Sequence, residues 1–136
     1  MVEVIINYLA VLVAALAAMV LGFLWYGPLF GKIWMNLMNF KKEDMKKTKN
    51  MGLRYFGMVV STLVMAYVLS HFVDYAGANS VSTGLVLGFW IWLGFFATKS
   101  LGMVLWENKS FKLYVLITAY DLVSFLIMSV ILAVWI

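Results

Sequence analysis

The sequence predicts an all-α integral membrane protein with four transmembrane helices in two hairpins, plus a short interfacial helix after the first. Hydrophobic residues make up 65% of its 136 residues and charged residues only 12%, where a soluble domain has about 45–50% and about 25%. The mean hydropathy is +1.00. A surface this apolar is unstable in water, so a soluble globular protein is excluded. We expect one membrane domain over residues 1–136.

Four apolar stretches are long enough to cross a bilayer core of about 30 Å, which takes about 20 helical residues. We place these helices at about 4–26, 53–73, 83–106 and 113–135. The first stretch is longer than the apolar region of a signal peptide, which has about 7–15 residues, and Glu3 stands where a basic region is expected. We therefore interpret it as a retained helix.

The connection after the first helix has two parts. Gly27 and Pro28 break the helix, and the apolar residues that follow them recur at helical spacing. This pattern predicts an interfacial segment at about 28–39, lying in the plane of the lipid headgroups. The lysine-rich loop at 41–51 follows. We expect a solvated cytoplasmic loop held near anionic lipid rather than a specific partner site.

The positions of the basic residues predict the orientation, because short loops rich in lysine and arginine stay cytoplasmic. Every lysine and arginine except Lys99 lies between helices 1 and 2 or between helices 3 and 4, and the connection at 74–80 has none. We expect a multi-pass protein of a prokaryotic inner (plasma) membrane with both termini outside. Topology explains the net charge of +4, and no nucleic-acid fold pattern accompanies it, so the expected partner is the lipid bilayer and not nucleic acid.

Small residues recur at every fourth position along two of the helices, which lets helix backbones approach closely in lipid. They are Ala10, Ala14, Ala18 and Gly22 in the first helix, and Gly84 and Gly88 as a GxxxG motif in the third. The spacing predicts a tight bundle. The two faces meet either within one chain, which is the default, or between copies of a homo-oligomer, which we also expect without a defined number of subunits.

Two ionisable residues fall inside the predicted helices, where a charge costs about 2.5–3.5 kcal/mol on insertion scales. Lys99 and Asp121 lie at matching depth in the second hairpin, so we predict an ion pair between them. Hydroxyl residues near the pair extend it to a polar cluster; they are Thr98, Tyr114, Thr118 and Ser124. The pair is either a structural clasp that fixes the hairpin register, or an exchange site in which Asp121 binds a proton or cation.

A second polar cluster is predicted at the outer side, where Asn7 begins the first helix and Ser70, His71 and Asp74 end the second. It is either a small ligand site or a set of residues that simply lie in the membrane interface.

The sequence offers few residues for metal binding or catalysis. Cysteine is absent, which excludes disulfides, thiolate metal sites and thiol nucleophiles, and a single histidine supports no metal site within one chain. No phosphate-binding, dinucleotide or metalloprotease motif occurs, so we expect no catalytic residues and no cofactor. The composition favours a structural or accessory membrane component. The alternative is a transporter of small solutes, protons or cations that uses the Lys99–Asp121 pair.

The two hairpins carry a weak internal repeat. The sequence Val-Leu-Gly-Phe occurs at 20–23 and at 86–89, and each copy precedes a tryptophan, a glycine and a lysine: Trp25, Gly27 and Lys32, then Trp92, Gly94 and Lys99. The repeat is either a parallel duplication of one hairpin or chance similarity between apolar segments.

The motif Trp-Tyr-Gly-Pro-Leu-Phe-Gly-Lys at 25–32, followed by Trp34, and the motif Trp-Leu-Gly-Phe at 92–95 carry a family resemblance. With the later hairpin, they make the chain similar over essentially its whole length to the small prokaryotic membrane-protein family catalogued as domain of unknown function 1761. The resemblance implies a four-helix inner-membrane protein. It brings neither an activity nor any catalytic residue.

Overall fold

The structure, a computed structural model, describes residues 6–39, 43 and 49–135. Its long helices confirm the predicted all-α fold. Four of them are long and apolar enough to cross a membrane, and we name them the first to fourth spans: Tyr8–Leu29, Met51–Ala76, Val81–Leu105 and Phe111–Val134. The lysine-rich loop predicted at 41–51 and the predicted start of the first helix lie largely outside the described residues.

The first span is α1 (Tyr8–Leu24) continued by a π-helical turn at Trp25–Leu29. Asn7 caps α1, because its side-chain oxygen accepts from the backbone N–H of Ala10 at 3.1 Å. The span ends where Gly27 leaves helical geometry, at φ −112° and ψ −105°, beside Pro28. A short helix, α2 (Gly31–Leu37), follows the break in the predicted interfacial segment.

The second span is one uninterrupted helix, α3 (Met51–Ala76), which ends at Gly77 in the left-handed conformation. The residues it buries are Ala66, Leu69, Ser70 and Val73, all in its second half. Its first half contributes no buried residue to the described part of the bundle. The second span is therefore packed near Gly77 and uncovered near Met51.

The third span is the most irregular. It consists of α4 (Val81–Ile91), a π-helical segment at Trp92–Ala97, and two short pieces, α5 (Thr98–Ser100) and α6 (Gly102–Leu105). Ser80 and Thr83 start it with a reciprocal capping box. The regular spacing of an α-helix therefore ends at Ile91.

The fourth span, α7 (Phe111–Val134), is capped by Ser110 and packs against both the first and the third spans. Gly84 and Gly88 lie directly against it: a Cβ at Gly84 would be 3.0 Å from the backbone oxygen of Ser129, and one at Gly88 would be 2.9 Å from that of Phe125. Ala10, Ala14 and Ala18 of the first span are also buried within the chain. Both stripes of small residues thus serve contacts inside one chain.

The spans run antiparallel, so the bundle has two ends. The Asp74 end carries Asn7, the turn at 77–80 and Trp135, and a 3.4 Å hydrogen bond from the Asn7 amide to the carbonyl of Trp135 joins its first and last described elements. The opposite end, which we call the basic end, carries α2 and the turn at 106–110 with Lys109.

Candidate functional site

Asp121 is the ionisable residue deepest in the fourth span. It is the eleventh of the 24 residues of α7, so it lies about 15 Å along the helix from Phe111 at 1.5 Å per residue. It shares a helix face with Phe125 and Met128, which are buried. Asp121 itself is only half-buried.

Aromatic side chains of the first span surround this part of α7. The ring of Tyr120 lies 5.3 Å from that of Tyr26 and 6.2 Å from that of Trp25. Both tyrosines interact electrostatically with the Asp121 carboxylate. Tyr26 also contacts Trp34 of α2, with the ring centroids 5.5 Å apart. The carboxylate therefore lies beside two phenols where the first span ends.

The break in the first span brings these aromatic residues into place. The backbone N–H of Phe30 donates to the carbonyl of Trp25 at 2.9 Å, which is the wider hydrogen-bond spacing of a π-turn. Gly31 has to be small, because a Cβ there would lie 2.6 Å from the backbone oxygen of Tyr26. This close approach turns α2 back toward the bundle, where it packs against α7.

The predicted ion pair between Lys99 and Asp121 is wrong. No nitrogen–oxygen pair within 4.0 Å joins an acidic to a basic side chain in the described ranges, and Lys99 is exposed. The prediction matched the depth of the two residues along continuous α-helices. The π-helical segment at Trp92–Ala97 and the interruption after Ser100 end that regular spacing before and after Lys99.

The hydroxyl groups predicted around the pair bond to backbone carbonyls instead. Tyr114 donates to Ala97 at 2.6 Å and so ties the fourth span to the third. Thr118 donates to Tyr114 at 2.7 Å and Thr98 to Gly94 at 2.8 Å, each one turn back in its own span. Ser124 is buried in α7. Asp121 makes no hydrogen bond or ion pair with any residue in the described ranges.

Sequence reasoning did not assign roles to two tryptophans that join the spans. The indole N–H of Trp25 donates to the carbonyl of Leu116 at 3.2 Å, and that of Trp92 to the carbonyl of Thr118 at 2.8 Å. Each tryptophan begins a π-helical segment. The available signal was the repeat itself, because a buried indole N–H needs an acceptor. Both indoles bind the fourth span, however. Trp25 therefore contacts the other hairpin, whereas Trp92 contacts its own, and the two copies of the repeat are not equivalent.

The Asp74 end contains a cavity of about 340 Å³. The first, second and fourth spans and the turn at 77–79 form its walls. Asn7, Ser70 and Asp74, three of the four residues predicted for the outer cluster, line this cavity together with Asn79. The fourth, His71, is placed elsewhere: its ring packs on Tyr67 at 4.8 Å, and its Nδ1 lies 3.0 Å from the Tyr67 carbonyl oxygen.

Two further cavities lie along the third span. An entirely apolar groove of about 380 Å³ separates it from the second span and is lined by Phe72, Phe95 and Phe96 among others. The other, of about 310 Å³, lies by Thr83 and Trp90. Asp121 lines none of the three cavities. No three His, Asp or Glu side chains of the described residues converge as metal ligands.

Comparison with known proteins gives one match. A family model described as a protein of unknown function (DUF1761) matches residues 9–133, which include all four spans and both tryptophan motifs. No similar curated protein and no similar solved structure was found. The resemblance seen in the sequence is confirmed: this four-span chain belongs to the DUF1761 family.

Proposed function

We propose that this membrane protein transports a proton or a small monovalent cation and that Asp121 is the group that binds it. One observation carries the proposal: the Asp121 carboxylate lies in the middle of an apolar span without an ion pair or a hydrogen bond to a described residue. A charged carboxylate at that depth is costly, and such residues mark ion and proton pathways. A bound proton or cation would neutralise it.

The helix breaks support the same site. Transport sites lie near the bilayer midplane where helices are discontinuous, often at corresponding positions of two halves. Here the first span breaks at Trp25–Leu29 and the third at Trp92–Ala97. The indole N–H of Trp25 donates to the Leu116 carbonyl, and that of Trp92 donates to the Thr118 carbonyl. Leu116 and Thr118 are two residues apart, so they lie about 200° apart around the axis of α7. The breaks thus flank the fourth span just before Asp121.

Access to Asp121 would come from the basic end. The second span buries residues only from Ala66 onward, and Asp121 itself is only half-buried. The ring of Tyr26 packs against Tyr120, the residue before Asp121 in the chain, and its hydroxyl makes no hydrogen bond with a residue of the described ranges.

Flux measurements in proteoliposomes test the proposal, with proton and monovalent-cation flux driven by an imposed pH gradient and potential. We expect flux in the wild type and in Asp121→Glu, which keeps the carboxyl group, and loss of flux in Asp121→Asn. Glu107→Gln removes an exposed carboxylate at the turn of the basic end and is the matched control, with flux unchanged. Thermal unfolding shows whether each variant is folded.

The alternative is a structural or accessory membrane component. It is favoured by the fact that Asp121 lines none of the three cavities described above. Folded wild-type protein without flux of any tested ion would overturn the transport proposal and leave this alternative. Equal flux in the wild type and Asp121→Asn would instead remove Asp121 from the pathway.

A further inference from the structure

We propose that the cavity at the Asp74 end binds a small organic ammonium ion, with the Asp74 carboxylate as its counter-ion. This site is distinct from Asp121 and does not depend on the proposed transport function. Its volume of about 340 Å³ is at the lower end of the range for ligand pockets, about 300–1,000 Å³. It is much larger than a bare metal ion needs.

The hydrogen-bonding groups left free in the cavity are mostly acceptors. The Asn7 amide already donates to the Trp135 carbonyl and accepts from the backbone N–H of Ala10. The Ser70 hydroxyl donates to the carbonyl of Tyr67, so its oxygen can only accept. Neither the Asp74 carboxylate nor the Asn79 side chain has a partner among the described residues; the carboxylate oxygens and Asn79 Oδ1 can accept, and of these two side chains only Asn79, through its NH2 group, adds free donors. A ligand that donates hydrogen bonds matches this set.

The charges around the cavity also favour a cationic ligand. Asp74 is exposed to the cavity mouth and has no basic side chain within 4.0 Å in the described ranges. The lysines and arginines of the described residues all lie at the basic end or in the basic half of the third span, far from Asp74. The carboxylate therefore lacks a counter-ion among the residues that the structure describes, and a cation supplied from solution would complete its charge balance.

The apolar residues that line the cavity favour an organic cation over a metal ion. Ile6, Val73 and Leu132 provide apolar walls, and Trp135 also lines the cavity. Apolar walls disfavour a strongly hydrated metal ion but accommodate alkyl groups. A primary amine with a short alkyl chain combines the three properties: positive charge, N–H donors and an apolar tail.

Calorimetric titration of the purified full chain with n-butylammonium tests this site at constant pH and ionic strength. We expect saturable binding to the wild type, at least tenfold weaker binding to Asp74→Asn, and unchanged binding to Glu107→Gln, which removes one carboxylate at the opposite end. 1-Butanol, which has the same chain without the charge, controls for partition into detergent and should show no saturable binding.

Absence of saturable n-butylammonium binding to the wild type would overturn the proposal. So would equal affinity in the wild type and Asp74→Asn, because the carboxylate would then not be the counter-ion. Asn79→Ala tests the site without changing its charge. Loss of this acceptor from an exposed turn should weaken n-butylammonium binding about threefold without unfolding the chain. Unchanged affinity in that variant would remove Asn79 from the site.

Discussion

The hydroxyl of Tyr120 in the fourth span donates a 3.1 Å hydrogen bond to the carbonyl oxygen of Ala18 in the first. Gly22, one turn further along the first span, makes the contact possible, because a Cβ there would lie 2.9 Å from the Tyr120 hydroxyl oxygen. The small residues of the first span therefore do more than let backbones approach. They leave room for an aromatic side chain to reach the helix backbone.

This contact predicts energetic coupling between Gly22 and Tyr120. Tyr120→Phe should lower the free energy of unfolding by about 0.6 kcal/mol, a typical value for a hydrogen bond between membrane helices. Gly22→Ala should also cost about 0.6 kcal/mol, because the added Cβ meets only the end of the Tyr120 side chain, which shifts and loses the same hydrogen bond. The double variant should cost less than the sum, because Gly22→Ala displaces the hydroxyl that Tyr120→Phe removes. Unfolding in detergent measures the cycle, and strict additivity would contradict it.

Two neighbouring tryptophans of the third span should differ in how much they contribute to stability. Trp92→Phe should lower the free energy of unfolding by about 1 kcal/mol, because it removes the hydrogen bond to the Thr118 carbonyl. Trp90, two residues earlier, is 62% exposed, and its indole has no hydrogen-bond partner in the described ranges. Trp90→Phe is the matched control and should leave unfolding unchanged. Similar losses in the two variants would contradict the role given to Trp92.

Glycine substitutions test the contact between the third and fourth spans. Gly84→Ala should cost about 1–3 kcal/mol, because the added Cβ would lie 3.0 Å from both the Ser129 oxygen and the Val130 Cα. Backbone atoms cannot move aside as a flexible side chain can. Gly57→Ala in the second span meets nothing within 4 Å and should be neutral or slightly stabilising. Thermal unfolding of both variants compares them directly.

Replacing Lys99 tests the corrected ion pair. Lys99→Gln should change the free energy of unfolding by no more than about 0.5 kcal/mol, as expected for an exposed side chain without a partner. A buried pair that lost one member would instead be destabilised by about 3–5 kcal/mol. Chemical denaturation of the two proteins separates these values, and a loss in the larger range would restore the pair.

The orientation inferred from the basic residues also gives a prediction. The chain contains no cysteine, so a single introduced thiol reports on one position. Ser82→Cys at the Asp74 end should react with a membrane-impermeant maleimide on intact cells, and Glu107→Cys at the basic end only after the membrane is opened. Labelling in the opposite order would place the basic end outside.

The four spans were predictable because apolar length alone identifies a membrane helix, and the break at Gly27 was predictable because glycine and proline interrupt helices. Asn7, Ser70 and Asp74 line one cavity, as their common depth at two helix ends suggested. Depth is a reliable coordinate in a membrane protein, since it follows from counting residues from the ends of a span.

Facing direction was less predictable. Nothing in the composition of Trp92–Ala97 distinguishes a π-helical segment from ordinary helix, yet that segment interrupts the regular helical spacing just before Lys99. His71 shows the same limit: its depth matches Asp74, but its ring packs on Tyr67 of its own helix. The indole acceptors of Trp25 and Trp92 depend on how close two helices approach, which no local pattern reports.

The fourth span is the shared partner of the first and third, and this gives the protein an order of assembly. Translation delivers the first three spans while the segment that contacts them is still being made. Until α7 enters the bilayer, the Trp25 and Trp92 indoles lack the Leu116 and Thr118 carbonyls, and Gly84 and Gly88 lack the surface they meet. A chain stopped before Phe111 would retain three membrane helices without the one that joins them. Translation of the fourth span thus supplies the helix that joins the first span to the third.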